Sequence, residues 1–281
     1  MRRIGILALL AVSLLAGCSK HEEHAGHTSG AATESTATTA TSTAPDTPAA
    51  TLPAVTFGNG ASGYLALPPS NVAGKKPAVI VIQEWWGVDD WVRAQTNRFA
   101  QKGYVALAPD LYRGRTAKSP DEAHELMRGL PEDRAMADLK AAIDYLGRRD
   151  DVDPQRIGVI GWCMGGGYAL ALATVDARPK GTVINYGRLI TSSDAITNIN
   201  APILGNFGDA DRGIPADDVR KFGAELTKYG KLGDIKVYEG AGHAFMNENN
   251  KEGYNEAAAQ DAWGRIDRFF DRTLRANMPN S

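Results

Sequence analysis

Cys163 sits in GWCMGGG (161–167), with Gly161 and Gly165 two positions to either side, directly after the apolar run RIGVI. A strand, a tight turn and a helix at this point would form a nucleophile elbow, the G-x-S-x-G arrangement with Cys in place of Ser. The strained turn lifts the side chain clear, the glycines leave room for the backbone crossing, and the dipole of the following helix favours thiolate. Such a thiol needs a base. Beyond the first 52 residues the chain holds only two histidines, His124 and His243. His124 lies between Ala123 and Glu125 in a capped, exposed helical pattern, whereas His243 stands in the glycine-rich GAGHAF after the apolar run IKVY. His243 is therefore the expected base. A carboxylate must hold its imidazole in one tautomer. Asp209 and Asp211, in LGNFGDADRGIP, both qualify by position, and spacing does not separate them.

The elements that must position these groups alternate. PAVIVIQEW (77–85), YVALAPDLY, RIGVIGW, GTVINYG, APILGNFGD and IKVYEG are short apolar runs that read as buried strands. Between them lie helical patterns. VDDWVRAQTNRFAQKG ends at Gly103; SPDEAHELMRGL carries Ser119 as N-cap, Pro120 at the first helical position and Glu122 as capping-box partner. PEDRAMADLKAAIDYLGRR puts Ala135, Leu139, Ala142, Ile143 and Leu146 on one stripe. Further helices are expected at GGGYALALATV, PADDVRKFGAELTKYG and about 256–275, and a hairpin over 54–67 with its turn at Asn59-Gly60. Unbroken alternation implies an α/β fold, a mostly parallel doubly wound sheet with helices on both faces and its site at the carboxyl ends of the strands. The chain order nucleophile, acid, histidine is that of α/β-hydrolases. Trp85, Trp86 and Trp91 crowd one stretch with Tyr112 nearby, and are candidates to wall an apolar acyl or aryl pocket; Trp91, on a helix, is expected in the core.

Through IQEWWGVDDWVR, APDLYRG, GWCMGG, GDADRGIP and EGAGHAF, residues 53–281 resemble the dienelactone hydrolase family over nearly their whole length. The resemblance implies a catalytic acid four residues before a proline, which selects Asp211 with Pro215. It implies a glutamate after the early strand in contact with the resting thiol, matched by Glu84, and an oxyanion hole from the backbone N–H groups of Trp85 and Met164. It also implies two arginines on a substrate carboxylate. Arg113 and Arg115 straddle one of those positions, but the other falls at Met246-Asn247, so half of that clamp is missing and chlorocatechol breakdown is not the expected task. The implied activity is hydrolysis of small carboxylic esters or lactones by a Cys163–His243–Asp211 triad through an acyl-thioester, with no metal or cofactor. Substrate contacts are expected from Trp86, Tyr112, Arg113, Arg115 and Asn247.

The N-terminus has another character. MRRIGILALLAVSLLAGCSK places two arginines before a short apolar run and small residues, the layout of a secretory signal over residues 1–17. LAGC resembles a bacterial lipobox, which makes Cys18 a lipidation site and the protein an exported lipoprotein on a bacterial membrane, periplasmic or cell-surface. Losing Arg2 and Arg3 takes the formal charge from −2 to −4, and nothing suggests a nucleic-acid partner. Residues 18–52, rich in Thr, Ala, Ser and Pro, read as a tether spanning about 30 Å. His21, His24 and His27 recur there every third residue, a spacing that could catch a metal ion weakly, and the solvated linker is the favoured reading. Beyond the tether Cys163 is the only cysteine, which excludes an intradomain disulfide. Two rival readings remain: a thiol redox protein using Cys163 alone, which lacks a resolving cysteine and has no use for an acid and base, and a non-catalytic binding lipoprotein on a hydrolase scaffold.

Overall fold

The computed structural model describes residues 54–58, 60–70 and 74–275. The signal segment, Cys18, the tether histidines and Asn59 lie outside these residues. The described residues belong to one unit, Ala50–Ser281. Eight strands form one sheet in the order β1-β2-β4-β3-β5-β6-β7-β8. The expected hairpin is β1 (Val55–Phe57) and β2 (Ala61–Ala66), paired antiparallel; β2 also runs antiparallel to β4 (Val105–Pro109). From β4 onward every pair is parallel: β3 (Lys76–Ile82), β5 (Val152–Trp162), β6 (Thr182–Asn185), β7 (Ile203–Gly208) and β8 (Gly233–Tyr238).

Each central strand buries both faces, which is why the strands read as continuous apolar runs. Along β3, Val79 and Val81 enter a cluster with Trp91 and Phe99 of α1 (Asp90–Gln101) and Trp263, Ile266 and Phe270 of α7 (Glu256–Phe270). Ala78, Ile80 and Ile82 point the other way, to Leu126 of α2 (Pro120–Arg128), Leu139 and Ile143 of α3 (Glu132–Gly147) and Leu172 of α4 (Met164–Val175). A third cluster joins Val219, Phe222 and Leu226 of α6 (Ala216–Lys228) to Ile203 and Phe207. All five residues of the α3 stripe are buried.

Three details depart from the sequence pattern. β5 begins at Val152, before the expected RIGVIGW; Pro154 interrupts the pattern there, and the pairing to β3 shifts register between Lys76 and Ala78. A short α5 (Ser193–Thr197) fills the segment after β6. At the start of α2, Ser119 Oγ accepts from the Glu122 N–H at 3.3 Å as expected, but the Glu122 carboxylate accepts from the Lys118 N–H at 2.7 Å, one residue beyond a capping box. The chain after α7 continues as a π-helical turn, Asp271–Arg275. Among the described residues no helix is long and apolar enough to cross a membrane.

Candidate active site

The candidate groups stand at the carboxyl ends of β3, β5, β7 and β8. Cys163 follows β5 and is the N-cap of α4, with φ 52° and ψ −118°. A side chain disfavours that backbone region, and a residue held there marks a functional turn. Glycine on both sides is a steric necessity. A Cβ on Gly161 would lie 2.1 Å from the Gly165 carbonyl oxygen, and one on Gly165 would lie 2.4 Å from the carbonyl oxygens of Ile82 and Gln83. The first turn of α4 therefore sits directly on the end of β3 and brings Cys163 beside Glu84 and Trp85.

His243 Nε2 lies 3.1 Å from Cys163 Sγ, and His243 Nδ1 lies 2.7 Å from Asp211 Oδ2. The other oxygen of Asp211 accepts from the N–H groups of Gly213 and Ile214, at 2.8 and 3.2 Å. Asp209 points elsewhere: it is exposed and its Oδ1 accepts from the Gly240 N–H at 2.7 Å, bracing the turn after β8. The ambiguity left by spacing is thus removed by direction, since only Asp211 reaches the imidazole. Burial works against charge on Asp211, but the bond to His243 and the two N–H groups leave its carboxyl below the ordinary range. Burial likewise opposes the imidazolium, yet the hydrogen bonds to Asp211 and Cys163 lift His243 to about 10.

Glu84 is buried at the floor of the site. Its Oε2 accepts from Asn247 Nδ2 at 2.7 Å and its Oε1 from the Tyr186 hydroxyl at 3.3 Å. The resemblance implies a contact with the resting thiol; here the carboxyl turns to these two neutral donors, while the sulfur faces His243. Burial lifts Glu84 to about 7; the Asn247 bond pulls against it and the nearby Asp89 charge adds to it. Asn247 also accepts from the Asn249 N–H at 2.9 Å, so its amide is fixed at both ends.

A cleft of about 770 Å³ opens above these groups. Glu84, Cys163, His243 and Asn247 line its floor, Trp85, Trp86 and Met127 its apolar wall, and Lys118, Lys251 and Glu252 its rim. The indole of Trp85 is held edge-on between Trp86, at 5.0 Å between ring centroids, and His124 of α2, at 4.8 Å and 88°. Trp91 is in the core as expected, packed edge-on against Trp162 with its N–H on Glu248 at 2.8 Å.

The remaining candidates for substrate contact do not line this cleft. Tyr112 is buried, its hydroxyl donating to Met164 Sδ at 3.3 Å, so it supports the first residue of α4 from below. The Arg113 guanidinium makes a two-toothed ion pair with Asp138 of α3, at 2.7 and 2.9 Å. Arg115 is exposed, and its carbonyl packs on Gly87 beside the Trp86 turn. Met127, Lys118, Lys251 and Glu252 are among the cleft residues that go beyond the sequence expectations. The three-residue spacing of Ala123 and Leu126 marks the buried face of α2, and Met127, one position on, is the available signal for a residue beside it.

A sequence model described as the Dienelactone hydrolase family matches residues 61–274. The protein named usf from Aquifex pyrophilus is 37% identical over 224 residues, covering 75% of this chain and 93% of its own. A Methylorubrum extorquens relative named as a putative carboxymethylenebutenolidase is 32% identical over 225 residues, covering 74% of this chain and 75% of its own. A solved structure from Klebsiella pneumoniae subsp. pneumoniae, named as a putative dienelactone hydrolase, superposes with a TM-score of 0.70 at 32% identity, covering 77% of this chain and 95% of that one.

Proposed function

Because the chain belongs to the dienelactone hydrolase family, we propose that it hydrolyses small carboxylic esters or lactones with Cys163 as nucleophile, His243 as base and Asp211 as the orienting acid. The observation that carries this reading is the unbroken line of hydrogen bonds from Sγ through the imidazole to Asp211, 3.1 and 2.7 Å, opening on a cleft with an aromatic wall. The hydrogen bond from His243 Nδ1–H to Asp211 favours the imidazolium, so the imidazole is the group that takes the thiol proton. The sulfur then attacks the carbonyl carbon, and the carbonyl oxygen takes the negative charge. We assign its stabilisation to the N–H groups of Trp85 and Met164, which follow Glu84 and Cys163 in sequence.

Collapse of the tetrahedral species breaks the bond to the alkoxide, which takes the proton from His243 Nε2, and leaves an acyl-thioester. The imidazole, now neutral with its Nδ1–H on Asp211, accepts a proton from water as the water attacks. The carboxylic acid departs and Cys163 regains its starting state. Both halves of the cycle pass their proton through Nε2, which is what a single fixed tautomer permits. Export and anchoring through a lipid on Cys18 belong to the same proposal and are supported by LAGC after the apolar segment.

The test is a panel of neutral esters and lactones, assayed with wild type and Cys163→Ala. Hydrolysis abolished in the variant, with a mass adduct of one acyl group on wild-type Cys163 under rapid quench, is expected. Turnover that survives Cys163→Ala would overturn the assignment.

A further inference from the structure

One side chain in the site carries no signal in its sequence. Tyr186 follows the last residue of β6 and has φ 39°, a left-handed backbone that a bulky aromatic residue rarely takes. It is fully buried. Its hydroxyl donates to Glu84 Oε1, and its ring meets the His243 imidazole edge-on at 5.3 Å between centroids and the Phe245 ring at 5.5 Å. Burial and the Glu84 charge push its own ionisation well up, so the phenol stays a donor.

The strained backbone is held from both sides. The Tyr186 N–H donates to the Asn206 carbonyl at 2.8 Å. Asn185, immediately before it, accepts from the Cys163 N–H through its carbonyl at 3.0 Å and donates from its amide to the Gly161 carbonyl at 3.2 Å. Asn206 Nδ2 donates to Asn185 Oδ1 at 2.8 Å, and Arg265 of α7 donates to Asn206 Oδ1 at 2.5 Å. Asn185 and Asn206 are fully buried. Strained conformations persist where the surroundings over-determine them, and they cluster where geometry is used.

We propose that Tyr186 is a positioning residue that holds Glu84 and His243 in fixed relation to Cys163: its hydroxyl orients the carboxyl, and its ring sets the plane of the imidazole. Asn185 ties the same backbone to the nucleophile turn, so the three groups share one mount. The inference rests on the proposed hydrolytic site for its meaning. Its first test needs only the thiol. The ionisable groups facing Glu84 are Asp89 from the start of α1, His243 after β8 and Tyr186 itself, and those facing Tyr186 are Glu84, Cys163 at the elbow and Glu248.

Tyr186→Phe keeps the ring on His243 and removes the donor to Glu84. A donor favours the charged carboxylate, so its loss should raise the Glu84 ionisation. Glu84, lifted to about 7, should put an inflection near pH 7 in the rate of Cys163 alkylation by iodoacetamide, and the variant should move it up by roughly 0.5–1 pH unit. On any ester that wild type turns over, kcat at pH 7 should fall about 3- to 10-fold with KM within twofold, the value of one hydrogen bond. A residue that only packs would leave the pH profile where it is. An unshifted profile in a folded variant overturns the proposal. If Tyr186→Phe does not fold, wild type labelled with ¹³Cζ-tyrosine decides. One buried resonance should titrate near pH 7 and be still in Glu84→Gln, and its absence from wild type overturns the proposal too. Alkylation does not depend on ester turnover, so a wild type inert on every ester would sink the hydrolase reading while leaving the Tyr186 result decisive.

Discussion

Replacing Asp211 by Asn changes one atom and removes one charge. Asp211 Oδ2 accepts from His243 Nδ1 at 2.7 Å, which places the carboxylate and imidazolium charge centres about 4 Å apart, and at an effective dielectric near 20 that pair is worth about 4 kcal/mol. The His243 side chain is 42% exposed, so solvent screening takes away about half and leaves about 2 kcal/mol, or ~30-fold in rate. A second loss adds to the first. With its oxygen held by the Gly213 and Ile214 N–H groups, the substituted amide would turn its NH₂ to Nδ1. The neutral imidazole would then carry its proton on Nε2, the wrong tautomer to accept one from water. Together the two should lower kcat/KM on a neutral ester by at least about 100-fold. Asp209→Asn keeps an oxygen to accept from the Gly240 N–H, loses only a charge on an exposed turn, and should cost less than about threefold. Both variants are to be checked by circular dichroism and by thiol titration. A comparable loss in Asp209→Asn, or activity near wild type in Asp211→Asn, would refute the reasoning.

Other outcomes follow from individual contacts. Glu84 is raised to about 7 from 4.5, so between those values the folded chain binds more protons than the unfolded one at this group, and stability falls as pH rises through that window. Glu84→Gln should lack that fall, and its melting temperature relative to wild type should climb from pH 5 to pH 8; a constant difference would show that Glu84 does not titrate there. Arg113→Met strips the ion-pair partner from the buried Asp138 and should cost about 2–3 kcal/mol in urea unfolding with KM unchanged; a raised KM in a stable variant would return Arg113 to the substrate. Cys18→Ala should move the protein from the membrane to the soluble fraction of labelled cells with ester turnover intact, and a wild type already soluble and unlipidated would remove the anchor.

Sequence carries most of this arrangement where the physics is local. Gly161 and Gly165 declare the elbow because no other residue leaves the first turn of α4 room on β3. The central strands announce themselves because both of their faces are buried. What depends on direction does not show in spacing. Asp209 and Asp211 are two positions apart and equally acidic, and only the path of the loop turns one to His243 and the other to Gly240. Arg113 reads as an anion ligand until Asp138, 25 residues on, is seen to hold its Nη2 with both carboxylate oxygens. Tyr186 is hidden for a stronger reason. Its strand is four residues long, the N-Y-G that closes it reads as an ordinary turn, and its partner Glu84 is 102 residues away. His124 reads as a residue of an exposed helix, and it is one, but nothing in its neighbours reveals that it braces the indole of Trp85.

The groups of the site, Tyr186 and Asp211 included, come from the ends of β3, β5, β6, β7 and β8, five strands that lie side by side in that order. Cys163 and His243 are 80 residues apart, and Glu84 and Asn247 are 163 apart. Such contacts close only after the long loops between them have been ordered, late in the assembly of a sheet. β8, at one edge of the sheet, leads into the loop that carries His243, so the thiol meets its imidazole only once that strand has docked. Until then Cys163 is an ordinary cysteine on an unfinished chain. An unfolded chain thus carries no activated thiol, and its reactivity begins where its folding ends.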